Sequence, residues 1–167
     1  PYREQLLETA RLEYAEILEK GPCAASLRFR YTVGESEITQ TVRLASDAFR
    51  LDFETEVQWR ETRKMLRVAF PVDVTTDHST CEIQFGAFER PTHDNTSWER
   101  AQFGVCAHLF ADFSEPTHGV SLVNDCKYGH FLKDNVLDLN LLRSSCHPNP
   151  EADRGHHRFT YALLPHE

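Results

Sequence analysis

Apolar and polar side chains alternate with a period of two along most of this chain, which places every second residue on one face of an extended strand. Leu27, Phe29, Tyr31 and Val33 alternate with Ser26, Arg28, Arg30 and Thr32. Phe49, Leu51, Phe53, Thr55, Val57 and Trp59 alternate with Arg50, Asp52, Glu54, Glu56 and Gln58. The same rule predicts strands through Leu66–Val74, Cys81–Ala87, Phe103–Leu109, Val120–Leu122, Leu137–Leu141 and Phe159–Leu163. Turn-prone pieces such as Gly21-Pro22 and Gly34-Glu35-Ser36 separate them, giving about ten strands. A short helix or a linker is expected only at the N-terminus, from Tyr2 to about Ala10, with Leu6 and Leu7 toward a core. Strands with one wet face and no interleaved helices predict antiparallel sheets packed face to face. The fold class is therefore all-β, a large antiparallel β-sandwich.

Composition narrows this picture. With 167 residues and no repeat, low-complexity tract or shift in composition, residues 1–167 read as a single sandwich domain. Eighteen basic against 26 acidic residues leave a net charge of −8, which argues against nucleic acid as a partner. No apolar run is long enough to cross a bilayer, and the charged first twenty residues do not read as a signal peptide. A lone Met65 and a start at Pro1 read as an interior piece of a longer polypeptide. Five irregularly spaced cysteines do not form a small-domain disulfide framework and suit a reducing compartment.

Candidate chemistry is sparse. Cys106 and His108 share a face of one predicted strand, while Cys146-His147, His156-His157 and His93-Asp94 lie in loops. None has the paired spacing of a structural zinc site, so no metal site is expected within the chain. Glu54 and Glu56 share a face beside Asp52, which fits a solvated strand face better than an acid–nucleophile pair. No Gly-x-Ser-x-Gly elbow is present, and Asn95-Thr96-Ser97 reads as a chance sequon. Two segments stand apart. Arg90–Trp98 packs hydrogen-bonding groups and a Trp into a long loop. Asn124-Asp125-Cys126-Lys127-Tyr128-Gly129 follows a strand directly and reads as a tight turn, with Gly129 at a positive φ. Read functionally, it is a sugar-binding edge: Asp125 and Lys127 offer hydrogen bonds to hydroxyls, and Tyr128 an amphipathic face.

These segments, in order, resemble the family 38 α-mannosidases, closest to their cytosolic and vacuolar branch. The resemblance rests on Glu82-Ile83-Gln84-Phe85-Gly86, Arg90-Pro91-Thr92-His93, Asn95-Thr96-Ser97-Trp98, Leu122 to Gly129 and His157 to Leu163. It extends over nearly everything from Leu27 onward. It implies a zinc-dependent retaining exo-hydrolase of α-mannosides, of which this chain is part of the C-terminal β-sandwich region, of the supersandwich, galactose-mutarotase-like kind. The zinc ligands and the nucleophile are implied to lie in a separate catalytic domain, so the chain alone is expected to be inactive. By the same resemblance, loops of the sandwich border the substrate cleft. The candidates are Asn124, Asp125, Lys127, Tyr128 and Gln84, followed by His93 and Trp98. The implied partners are the chain's own catalytic domain and an α-mannoside oligosaccharide, with homo-oligomerisation left open and a cytoplasmic setting expected. The stretch Arg60-Glu61-Thr62-Arg63 departs from the family's usual His-Glu pattern and is assigned no function. The alternatives are a free-standing carbohydrate-binding module and a structural or oligomerisation sandwich.

Overall fold

The computed structural model describes residues 5–167. Among the described residues there are thirteen strands and one helix of five residues. The strands are β1 (Arg11–Lys20), β2 (Ala24–Val33), β3 (Ser36–Ala45), β4 (Leu51–Trp59), β5 (Leu66–Pro71), β6 (His78–Ile83) and β7 (Gly86–Pro91). After α1 (Ser97–Ala101) come β8 (Val105–Cys106), β9 (Phe110–Ser114), β10 (Gly119–Asn124), β11 (Gly129–Lys133), β12 (Val136–Leu142) and β13 (Gly155–His166). Every pairing for which a register is given is antiparallel, as the alternation predicts. No helix among the described residues is long and apolar enough to cross a membrane.

Three expectations change. The N-terminal helix does not form over residues 5–10, which are irregular and leave Leu6 and Leu7 exposed; Tyr2 to Glu4 lie outside the described residues. The strand expected through Cys81–Ala87 is broken at Gln84-Phe85 into the hairpin β6–β7, where Phe85 takes a φ of 63°. The strand expected through Phe103–Leu109 shrinks to Val105–Cys106, so Cys106 and His108 share no strand.

The contacts cluster into two compact units. The first comprises the chain up to Ala48, Asp52–Lys64 and Ser144–Phe159. Its strands run β1-β2-β3-β4, followed by the start of β13. Register sorts its two faces. Arg28 pairs with Glu16 at 3.3 Å and Arg43 with Glu19 at 3.9 Å on one face, which is charged there but buried at Ala24 and Ser26. The other carries Ile17 opposite Leu27 opposite Val42, and Leu12 opposite Tyr31 opposite Ile38. That apolar face is buried at Val33, Ile38, Phe53, Val57 and Trp59, but Leu12, Ile17, Leu27 and Leu44 stay exposed. At its buried end the Trp59 indole donates to Ser144 Oγ, and Ser144 N donates to Asp153 Oδ2 at 2.8 Å.

The second unit is a sandwich in its own right. One sheet orders the end of β13, then β10, β9, β6 and β7; the other orders β5, β12, β11 and β8. Ala111, Phe113, Leu122 and Tyr161 of the first sheet, and Leu132, Leu137 and Leu139 of the second, are buried between them. The Phe70 and Tyr161 rings meet at 6.1 Å. Burying a side chain of this kind contributes about 1.5–3 kcal/mol each. His130 is fully buried among these positions, directly opposite Leu139 on β12.

Candidate functional site

The segment Asn124–Tyr128 is built around the Asn124 side chain. Its Oδ1 accepts from Cys126 N at 3.1 Å and from Lys127 N at 2.5 Å, closing a side-chain turn. Its Nδ2 donates to His108 O at 3.0 Å, and its backbone N donates to Leu109 O at 2.9 Å. Asn124 is buried, and its amide is committed to the turn itself. What the turn turns outward is therefore Asp125, Cys126, Lys127 and Tyr128.

Asp125 is tethered at two points to β13. Its N donates to Thr160 O at 3.2 Å, and its Oδ2 accepts from Thr160 N at 2.9 Å. The side chain is exposed at the surface of the turn. Lys127 is half-buried. Tyr128 is 59% exposed and packs edge-on against His108, with ring centroids 5.2 Å apart. Burial, reinforced by a hydrogen bond with Asp125, pushes the Cys126 thiol up to about 11. It stays protonated at neutral pH and offers no thiolate nucleophile. Gly129 does not adopt the positive φ the turn reading predicts. A Cβ there would lie 3.3 Å from the Asn140 Cβ, a tight contact that a side chain could make only by displacing Asn140 slightly.

Gln84 is exposed at the β6–β7 turn. That hairpin and the Asn124 turn are joined through Glu82, whose carbonyl accepts from His108 N at 3.0 Å and whose Oε2 accepts from Leu109 N at 2.8 Å. His93 and Trp98 belong elsewhere. Lys133 Nζ donates to His93 O at 3.0 Å and pairs with Asp94 Oδ1 at 2.8 Å, while Asp134 N donates to Thr92 O at 2.8 Å. Their loop is thus anchored at the Lys133 end of β11, and the Asn124 turn leads into its Gly129 end. Four residues of strand separate those ends, about 13 Å at ~3.3 Å per residue. The structure brings Gln84 toward the turn and seats His93 and Trp98 at the other end of that strand.

Trp98 is 81% exposed on α1. That helix starts with a capping box, in which Thr96 Oγ1 accepts from Glu99 N at 3.2 Å and Glu99 Oε2 accepts from Thr96 N at 2.7 Å. The spacing Thr-x-x-Glu carries this signal in the sequence. The sequence reading also passed over Asp138, which is buried against Arg67 in a two-pronged ion pair, with the guanidinium 3.8 Å over the Phe131 ring. Burial raises the Asp138 pKa and Arg67 opposes that rise. Glu54 and Glu56 are exposed, and Glu56 faces Arg158 Nε at 3.8 Å. All five cysteines are free thiols. Among the described residues no three His, Cys, Asp or Glu side chains converge as metal ligands, so the zinc implied by the resemblance finds no ligand set here.

Fold and site together define an all-β module whose polar turns are held on a rigid sheet. The family model for the glycosyl hydrolases family 38 C-terminal domain matches residues 1–151, and the chain belongs to that family. It is 47% identical over 132 residues to alpha-mannosidase 2C1 of Mus musculus, covering 79% of this chain and 13% of that protein. It is 42% identical over 153 residues to an alpha-mannosidase of Saccharomyces cerevisiae, covering 88% of this chain and 14% of that one. The chain therefore spans about an eighth to a seventh of the length of these relatives. In fold it is similar to an alpha-mannosidase from Enterococcus faecalis V583, with a TM-score of 0.82 at 21% identity over 94% of this chain and 22% of that chain.

Proposed function

We propose that the chain is a non-catalytic β-sandwich portion of an α-mannosidase that hydrolyses terminal α-D-mannosides of oligosaccharides with retention, and that its Asn124–Tyr128 turn borders the substrate cleft. The observation that carries this reading is the 47% identity to alpha-mannosidase 2C1 across 132 residues. A retaining glycosidase needs a nucleophile and an acid about 5 Å apart. No candidate pair for those roles is assigned in this chain, and zinc, where the parent uses it, is held by residues outside these 167. The part of this chain is to shape and border: Asp125 and Lys127 present hydrogen-bonding groups, Tyr128 presents an apolar face, and Asn124 holds all three in place. Five free thiols support a reducing, cytoplasmic setting.

The exposed apolar face at Leu12, Ile17, Leu27 and Leu44 supports a partner within the parent chain, since a contiguous patch of this kind is seldom left to water. The test of the cleft assignment is Asp125→Asn and Lys127→Met in the full-length enzyme. Asn retains an oxygen to accept from Thr160 N, so the turn stays anchored while the charge is lost. Catalytic efficiency on an aryl α-mannoside should fall at least severalfold with the melting temperature unchanged. Unchanged efficiency in both variants makes the turn a scaffold alone. A measurable affinity of the isolated chain for mannobiose by calorimetry would instead favour a carbohydrate-binding module.

A further inference from the structure

Among the described residues Phe85 is the most exposed large apolar one, at 108% of its open-peptide area. It is also held at a φ of 63°. A two-residue turn in which only the second residue has a positive φ favours Gly at that position, and a bulky aromatic there is strained. Phe85 therefore costs stability through its backbone conformation and recovers none by burying its ring. Nothing in the folding of the hairpin requires it, because Ile83 and Gly86 close the β6–β7 pair on either side. Phe88, on the same hairpin, has the Arg90 guanidinium 5.1 Å from its ring; the Phe85 ring stands clear.

The backbone that carries that ring is braced. Glu82, three residues earlier, holds the backbone of His108 and Leu109 through its carbonyl and its carboxylate. Those same two residues accept the hydrogen bonds of Asn124. Three residues span at most about 11 Å, so the Phe85 hairpin tip and the Asn124 turn are both carried by one short stretch of backbone. One offers Phe85 beside the exposed amide of Gln84; the other offers Tyr128, steadied by His108, beside Asp125. Each is an aromatic face flanked by a hydrogen-bonding group. That pairing matches a pyranose ring, whose C–H face stacks on an aromatic while its hydroxyls meet polar groups. Two such platforms on neighbouring segments match a chain of sugars better than a single one.

We infer that Phe85 is a stacking platform for a sugar beyond the terminal mannose, and so sets the preference of the parent enzyme for oligosaccharides over small aryl mannosides. This rests on the placement of the Asn124 turn at the cleft. The test uses the full-length enzyme with Phe85→Ala, Phe85→Trp and Phe85→Gly, assayed on an aryl α-mannoside and on a linear α-mannotriose.

An aromatic contact of this kind is expected to be worth about three- to tenfold in efficiency. Phe85→Ala should lose that factor on the mannotriose, mainly through KM, and stay within about twofold on the aryl mannoside. Phe85→Trp should retain the mannotriose activity, and Phe85→Gly should melt no lower than wild type. Equal activities of Phe85→Ala and wild type on the mannotriose overturn the inference. Equal losses on both substrates with a lowered melting temperature also overturn it, and make Phe85 a packing contact with the rest of the parent. Asp125→Asn on the aryl mannoside tests the cleft reading separately. A full-length wild type that cleaves neither substrate sinks both.

Discussion

The Glu61 carboxylate occupies the space that a side chain at residue 34 would need. A Cβ built on Gly34 would lie 2.8 Å from the Glu61 carboxyl carbon, closer than real contacts allow. Gly34 also has a φ of 57°, at the turn between β2 and β3. Glu61 fills the turn from inside, accepting from Glu35 N at 2.7 Å, Ser36 Oγ at 3.4 Å and Lys64 Nζ at 2.5 Å. Gly34→Ala should therefore fail on two counts, strain and displacement of the carboxylate. The expected loss is about 1–3 kcal/mol, read as a lower urea midpoint with an unchanged slope.

The same carboxylate makes stability depend on acid. The hydrogen bond from Lys64 holds Glu61 below its ordinary value of 4.5, and the Glu35 amide adds to that. A group lowered in the folded state contributes fully above its unfolded pKa. That contribution is lost as pH falls below 4.5 and through the folded value. Urea midpoints measured over this acid range should drop more steeply for wild type than for Glu61→Gln. Parallel profiles would mean that Lys64 adds nothing beyond the neutral hydrogen bonds.

The sequence reveals the strands whose two faces differ. β4 reads without ambiguity, because Phe53, Thr55, Val57 and Trp59 are buried while Glu54 and Glu56 are wet. β1 does not, for two reasons. All its residues but Glu16 are exposed, so no face is marked, and register shifts around Glu13 and Leu18 break the alternation. Its Leu, Glu and Ala content adds a helical preference that pairing with β2 overrides. Asp138 shows the opposite failure. Alternation beside Leu137 and Leu139 points it to solvent, and only Arg67, 71 residues away, explains its burial. At the candidate site Asn-Asp after a strand announces the turn. The bracing by Glu82 does not show, because its partner Leu109 is 27 residues distant.

Asn124 and Asp125 should respond to substitution in opposite ways. Asn124→Asp keeps an acceptor for Cys126 N and Lys127 N but loses the donor to His108 O, and sets a carboxylate against that carbonyl. A buried group left unsatisfied costs about 1–3 kcal/mol, so this variant should melt measurably lower. Asp125→Asn changes an exposed charge while keeping its bond to Thr160 N, and should stay within about 0.5 kcal/mol of wild type. Thermal melts of the two variants side by side check this. Equal melting temperatures would show that the turn does not depend on the Asn124 amide.

His130 supplies a second acid-sensitive element, in the core of the second unit. It is fully buried, and neither ring nitrogen meets a hydrogen-bond partner among the described residues. Burial disfavours the imidazolium and lowers its pKa from 6.5 to about 4. Above 6.5 the ring is neutral folded and unfolded, so its titration places no load on stability there and only the orphaned nitrogens do. As pH falls from 6.5 toward 4 the unfolded chain takes up a proton that the folded chain refuses, and stability declines. The decline saturates at about 3 kcal/mol once both states are protonated. His130→Leu removes both the proton and the orphaned nitrogens. It should be at least as stable as wild type near neutrality, and between pH 6.5 and 4.5, above the range where Glu61 titrates, its urea midpoint should fall less than that of wild type. A variant that loses stability equally across the whole range would show that the imidazole is held by packing the leucine cannot reproduce.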